Sequence, residues 1–250
     1  MILRLCDLFN ARCELQDILE SKMSLVTTLA GEGRQQDAID LLQVVLEENA
    51  QRDWDGWLEW RVVSQQASLL AQQGKLNEAL EKYRHLSTVR CPTASDYLIN
   101  QVALFDTLDA LGSTPEGVVE LEQGLDSASG EAIPTALMAL GRYADLGQRT
   151  SIPVPVRYRK LLSDVLGWWG IEVPTALTED THSLGPAILF ARDAHRRSAI
   201  QFQELLQDLW QSHGDLERES AAKDGLRRYA QGSPVGFYRR EATRVLTRAE

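Results

Sequence analysis

The chain has 250 residues, of which 44% are hydrophobic and 25% charged, a composition typical of a globular protein with a sizeable core. Its charge is uneven, because residues 1–150 carry 12 Lys and Arg against 23 Asp and Glu, whereas residues 151–250 carry 14 against 13. An acidic surface repels phosphate and anionic lipid, so it disfavours nucleic-acid and membrane partners and favours a basic protein or peptide, although such a surface also serves simply to keep a protein soluble.

The first half of the chain predicts helices only. Apolar residues at helical spacing indicate a helix or tight helix pair over residues 2–30, ended by Gly31 and Gly33, and a returning helix over 35–49. Asp53 or Asp55 can cap a third helix, which is predicted to run to Ala71. Further helices are predicted at residues 76–87, 97–111, 115–125 and 135–146. No segment alternates with the period of a strand, so the predicted fold class is all-α.

The pattern changes after residue 150. Residues 151–155 contain two prolines, which lack the N–H that a continuing helix needs. We therefore expect a helical repeat region over 1–150 and a C-terminal helical region over 151–250, packed on the first or extending it. The second region predicts helices at 156–169 and 186–212, and a terminal helix with Ser233 as its N-cap.

One local pattern recurs four times in the first region: an apolar helical segment closed by a glycine. The closing glycines are Gly33, Gly74, Gly112 and Gly147, spaced by 41, 38 and 35 residues. In the first three copies a small residue follows five positions later, at Ala38, Ala79 and Gly117. A period of this length is typical of stacked helical hairpins, which form a solenoid.

This pattern resembles the tetratricopeptide repeat, most closely at residues 70–86 and also at residues 29–46, and the resemblance covers roughly residues 22–147. The spacing exceeds the 34 residues of that family, so we use the term tetratricopeptide-like. The resemblance implies a right-handed α-solenoid of antiparallel hairpins with additional C-terminal helices. It also implies a scaffold that binds proteins or peptides in a concave groove and performs no chemistry.

The most unusual local feature is a group of three tryptophans, Trp54, Trp57 and Trp60. On a helical wheel Trp60 joins the apolar face, whereas Trp54 and Trp57 fall on the polar stripe. Tryptophan and arginine dominate the energetics of protein interfaces, so the pair suits a binding site. The alternative is that Gly56 delays the helix and both side chains fold under the preceding helix.

The same stripe continues with polar residues, and together they form the predicted partner-binding site: Trp54, Trp57, Arg61, Gln65, Ser68 and Gln72. Amide and guanidinium groups can hydrogen-bond a peptide backbone without selecting its sequence. Such a stripe is also what a solvated helix face looks like, so this alternative stays open.

Catalytic and metal sites are not indicated. His195 lies within an apolar stripe, which favours a hydrogen-bonded core histidine over a catalytic one, and residues 179–182 are typical of a helix cap rather than a metal site. Gly31 and Gly33 follow a helix and lack the third glycine of a dinucleotide site. Three cysteines, without C-x-x-C spacing, predict no disulfide framework, and charges from Arg4 onward exclude an N-terminal signal or span.

We therefore expect a cytoplasmic, non-enzymatic adaptor or scaffold without cofactor. Its partner could be a component of an assembly, an effector held by its chaperone or a toxin held by its immunity protein. A first alternative is an enzyme whose site lies between the solenoid and the C-terminal helices and uses His182 or His195. A second alternative is a segment of a longer repeat protein, because residues 5–13 look like the end of a further hairpin helix.

Overall fold

The computed structural model of the protein describes residues 16–17, 20–49, 56–89, 91–178 and 183–249. About 84% of it is helical, and no strand forms within these ranges, so the all-α prediction is confirmed. The chain divides into two compact units, Met1–Ser127 and Ala128–Glu250, called unit 1 and unit 2. The predicted domains at 1–150 and 151–250 stay a prediction.

Unit 1 contains helices α1 to α6. They span residues 20–31 (α1), Gln35–Asn49 (α2), Trp57–Gln72 (α3), Leu76–Thr88 (α4), Ala94–Ala110 (α5) and Thr114–Ser127 (α6). From α2 onward each helix contacts the next one along the chain. The apolar faces of α1 to α5 share one core, in which Val26 of α1, Leu42 of α2 and Leu69 of α3 are almost fully buried.

Three turns of unit 1 have the same hydrogen-bond pattern. Gly33, Gly74 and Gly112 adopt positive φ angles of 78°, 76° and 81°, which glycine accepts without steric cost. In each turn the glycine N–H donates to the carbonyl three residues earlier, and the following N–H donates to the carbonyl five residues earlier, at 2.8 to 3.1 Å. This is the Schellman arrangement, and it explains why the glycines recur in the sequence.

The small residues that follow these turns are buried against neighbouring helices. Ala38 and Ala79 have no exposed surface. A Cβ atom added to Gly117 would lie 3.2 Å from the Phe105 side chain and 3.3 Å from Cβ of Leu108. The structure therefore places Gly117 where α6 approaches α5 closely, as the repeat pattern predicts.

The fourth glycine differs, and the prediction that Gly147 closes a helix is wrong. Helix α7 (Ile133–Thr150) continues through Gly147, and Ser151 adopts the left-handed conformation instead, with φ 61°. A Cβ atom on Gly147 would lie 2.7 Å from the carbonyl oxygen of Ile152. Gly147 therefore permits the returning chain to pass close to the helix, which is a tertiary requirement.

In its described residues, unit 2 contains α7 and five further helices. These are Arg159–Trp169 (α8), the single turn Thr175–Thr178 (α9), Gly185–Gln211 (α10), Leu216–Gly232 (α11) and Gly236–Ala249 (α12), so the predicted helices at 156–169 and 186–212 are confirmed to within a few residues. Helix α10 is the centre of this unit, since it contacts α7, α8, α11 and α12. No helix within the described ranges is both long and apolar enough for a membrane span.

The terminal helix begins later than predicted. Ser233 follows the end of α11, and its Oγ accepts the Val235 N–H at 3.3 Å, but α12 starts only at Gly236. Val235 forms an isolated β-bridge with Ile171, and the Gly236 N–H donates to the carbonyl of Gly170 at 2.9 Å. This backbone contact between distant segments fixes the start of α12, so Ser233 is not its N-cap.

A candidate partner-binding surface on helix α3

Helix α3 is buried on most of its circumference. Eight of its side chains are buried, namely Leu58, Trp60, Val62, Val63, Gln66, Ala67, Leu69 and Leu70. The predicted stripe lies on the remaining side of the helix. Arg61 and Gln72 are exposed there, and Trp57, Gln65 and Ser68 are half-buried. These five residues are called the α3 surface. Trp54, the sixth predicted residue, lies outside the described residues.

Three members of the α3 surface border a cavity. Trp57, Arg61 and Gln65 line it together with Trp60 and Ser64, and its volume is about 340 Å³. Its opposite wall consists of Gln16, Glu20 and Met23. We call this space the α3 cavity. Ser68 and Gln72 lie farther along the helix and do not line it.

Trp57 combines a structural and a surface role. Its side chain packs against the core of unit 1 while part of it borders the cavity. Trp57 is therefore half-buried, with one part held by the core and another part open to the cavity. An indole held by the core is restrained before any partner arrives, so it loses little conformational freedom on binding.

Trp60 lines the same cavity and also carries a buried polar atom. The residue is 2% exposed, and among the described residues its indole N–H has no hydrogen-bond acceptor. A buried donor without an acceptor is costly, because it has given up its hydrogen bond to water.

Arg61 is an inter-helix contact. Its Nη1 lies 3.6 Å from Oδ1 of Asp96, a buried carboxylate in the first turn of α5. The same carboxylate accepts a hydrogen bond from the hydroxyl of Thr93 at 2.8 Å, and the Thr93 oxygen accepts the Asp96 N–H at 3.0 Å. This pair of bonds closes the N-terminus of α5. Arg61 therefore joins α3 to α5 while bordering the cavity.

Ser68 and Gln72 interact with each other, and Ser68 also contacts α4. The amide of Gln72 donates to Oγ of Ser68 at 3.3 Å. Ser68 also hydrogen-bonds Tyr83, whose phenol pKa is raised to about 12, chiefly by burial. Part of the predicted stripe is thus occupied by contacts within unit 1.

Sequence reasoning missed the opposite wall of the cavity. Gln16, Glu20 and Met23 are spaced by four and three residues, which places them on one helix face. That spacing is visible in the sequence, but nothing in it shows which helix this face opposes. The amide of Gln16 donates to Oε1 of Glu20 at 2.9 Å, so these two polar side chains also hold each other.

The enzyme alternative depends on His182 or His195. His182 lies outside the described residues, and His195 belongs to unit 2, where its imidazole hydrogen-bonds the Tyr238 hydroxyl at 3.2 Å. Burial raises the pKa of the Cys91 thiol to about 11, so it is a poor nucleophile. In the described part of the chain no three His, Cys, Asp or Glu side chains cluster as a metal site requires.

Comparison with protein-family models found no matching family, and comparison with curated proteins found no significant similarity. The interpretation of the α3 surface therefore depends on its own geometry.

Proposed function

We propose that the protein is a non-enzymatic, tetratricopeptide-like module that binds a basic protein or peptide through the α3 cavity. In this proposal α1 to α6 stack as a right-handed solenoid of three hairpins, and the protein acts as a cytoplasmic adaptor or scaffold. The three equivalent Schellman turns support the repeat, since one local structure occurs at each predicted hairpin.

The α3 cavity is the observation that carries the proposal. Trp57, Arg61 and Gln65 all border this one space of about 340 Å³. An indole and a guanidinium are the most frequent sources of interface binding energy. The guanidinium of Arg61 and the amide of Gln65 can donate hydrogen bonds to an acceptor of the occupant, such as a peptide carbonyl.

Charge supports the choice of a basic partner. Residues 1–127 carry 10 Lys and Arg against 21 Asp and Glu, and Glu20 lies in the wall of the cavity. An acidic field of this kind increases the rate at which a basic partner associates and discourages acidic ones.

The proposal is tested with the full chain as bait in an extract of the native cells, followed by mass spectrometry. Wild type is compared with Trp57→Ala, with Gln65→Arg and with the control Trp210→Ala, whose tryptophan is 87% exposed in unit 2. Gln65→Arg leaves the core contacts of Trp57 intact and introduces a charge that repels a basic partner.

We expect one set of proteins to be retained by wild type and Trp210→Ala and lost with both α3 variants. Thermal unfolding of each bait verifies that it is folded. If folded Trp57→Ala and Gln65→Arg baits retain the same proteins as wild type, the α3 cavity is not the binding site.

A further inference from the structure

Trp210, in the last turn of α10, is 87% exposed, more than any other large apolar side chain in the described ranges. A groove with a volume of about 690 Å³ lies beside it. The apolar part of the groove is formed by Leu206, Leu209 and Trp210, and its other lining residues are Gln203, Gln207, His213 and Glu219. A contiguous apolar surface on a folded protein typically marks an interaction site.

The periodicity of α10 shows that this surface continues a face that is covered earlier in the same helix. In the first half of α10, Ile188 is fully buried, and a Cβ atom added to Gly141 of α7 would lie 3.0 Å from Cδ of Arg192. Residues that are 18 positions apart lie on the same side of an α-helix, because they are separated by about five full turns. Leu206 therefore shares the face of Ile188, and Trp210 shares the face of Arg192.

Helix α7 covers this face only along the first half of α10. The two helices are antiparallel, since Gly147 near the end of α7 lines one pocket with Pro186 at the start of α10. At the other end, the carbonyl of Pro134 accepts a hydrogen bond from Trp169, whose ring lies 4.1 Å from that of His195 between centroids. Helix α10 continues for 16 residues beyond His195 to Gln211, which leaves the face around Trp210 open.

The charges along α10 suit a second copy of the same helix in antiparallel orientation. The exposed charges are a basic pair before Gln203, Arg196 and Arg197, and an acidic pair after it, Glu204 and Asp208. Two parallel copies would bring like charges together, whereas two antiparallel copies bring the basic pair of each to the acidic pair of the other. The other two charged residues of α10, Arg192 and Asp193, pair with each other at 3.6 Å.

A two-fold axis at Gln203 makes the open face complementary to itself. Residues equally far before and after Gln203 then lie at the same level on the two helices. Trp210 of one copy meets Arg196 of the other, and a guanidinium over an indole is a favourable cation–π contact. Leu206 comes to the level of Ile200, whose side chain is 47% exposed, so one apolar residue covers another.

We propose that the second half of α10 is a dimerisation surface, which binds a second copy of this chain. The two α10 helices pack antiparallel about Gln203, with Trp210 of each copy against Arg196 of the other. The α3 surface belongs to unit 1 and is not part of this interface. Trp210→Ala therefore loses the second copy and keeps the α3 surface, and the two proposals can fail separately.

The first test is sedimentation equilibrium of the full chain in reducing buffer. We expect a monomer of 28.0 kDa in equilibrium with a dimer of twice that mass, with a Kd of about 100 µM or below, as for a small interface. Leu206→Asp and Trp210→Ala should each weaken the dimer at least about tenfold. The control Val119→Asp, at an exposed apolar residue of unit 1, should leave the Kd unchanged.

The second test locates the axis by cross-linking. Gln203→Cys places one thiol of each copy on the axis, where the two can form a disulfide, and oxidised glutathione serves as the oxidant. The matched control Gln201→Cys changes an exposed glutamine on the opposite side of α10. Gln203→Cys should form a covalent dimer at least about tenfold faster than the control or wild type, because the thiols are held together.

Three results would overturn the proposal. The first is a single species of 28.0 kDa up to about 500 µM, and proteins lost from the extract with Trp210→Ala alone would then assign this face to a different partner. The second is a dimer with the same Kd in folded Leu206→Asp and Trp210→Ala, as verified by thermal unfolding. The third is equal cross-linking of Gln201→Cys and Gln203→Cys, which would place the interface elsewhere.

Discussion

Both units are helical, but different interactions determine how the helices are arranged within each unit. Unit 1 repeats one turn three times, and from α2 to α6 each helix contacts the next along the chain. Unit 2 has α10 at its centre, which contacts the more distant helices α7, α8 and α12 as well as its chain neighbours α9 and α11. Local backbone chemistry therefore organises unit 1, whereas tertiary contacts organise unit 2, and this difference decides where a substitution acts.

The largest expected effect is in the core of unit 1. Phe105 is 1% exposed and lies against Gly117 of α6, so Phe105→Ala should leave a cavity between α5 and α6 and cost about 3–5 kcal/mol of unfolding free energy. Urea denaturation measures this loss. The control Ile99→Ala, on the same helix at 42% exposure, should cost much less. Equal losses in both variants would mean that α5 does not face α6 as described.

Overpacking should produce the next largest effect. Ala79 has no exposed surface and follows the Gly74 turn by five residues, so Ala79→Leu should cost about 1–3 kcal/mol. Its exposed neighbour Glu78 provides the control Glu78→Leu. An unchanged denaturation midpoint in Ala79→Leu would show that the repeat register is wrong.

Substitutions of one glycine in each unit compare the two units directly. Gly74 has φ 76° with no atom near its missing Cβ, so Gly74→Ala should cost about 1–2 kcal/mol, and Gly74→Asn should cost less because asparagine tolerates this conformation. Gly147 is helical and close to the carbonyl of Ile152, so Gly147→Ala should destabilise for steric reasons and asparagine should not rescue it. Rescue by asparagine at both positions, or at neither, would contradict the comparison.

The turn glycines and Gly147 show which parts of the fold could be predicted from the sequence. A glycine after a helix ending is a signal contained in a few neighbouring residues, so Gly33, Gly74 and Gly112 were predictable. The role of Gly147 depends on where the chain goes after residue 151, which no local pattern encodes. The prediction that Ser233 is the N-cap of the terminal helix was wrong for the same reason. The contact between Gly236 and Gly170, which are distant in the sequence, sets the start of α12.

The candidate site was predictable to a similar extent. Helical periodicity placed Trp57, Arg61 and Gln65 on one side of α3, and they do line one cavity. The pairing of Arg61 with Asp96 joins residues far apart in the sequence, so it required the structure. The cavity itself required the structure too, since its other wall comes from α1 and the residues before it.

The smallest expected effect concerns pH and belongs to unit 2. Burial lowers the pKa of folded His195, so below its unfolded pKa of about 6.5 the unfolded state binds more protons and stability falls as pH falls. His195 hydrogen-bonds Tyr238, and it lines a cavity of unit 2 together with the charged residues Arg142, Asp145 and Arg192. Thermal unfolding from about pH 7 to about pH 5 should show a smaller decrease for His195→Phe than for wild type. A decrease of the same size in both would contradict the burial of a neutral His195.

The most direct test of the central claim is the affinity of the recovered partner for the α3 variants. Trp57→Ala and Gln65→Arg should each weaken binding at least about tenfold, or about 1.4 kcal/mol. Thermal unfolding of each variant verifies that it is folded. Trp210→Ala should bind as wild type does. Unchanged affinity in both α3 variants would contradict the account and move the binding surface away from α3.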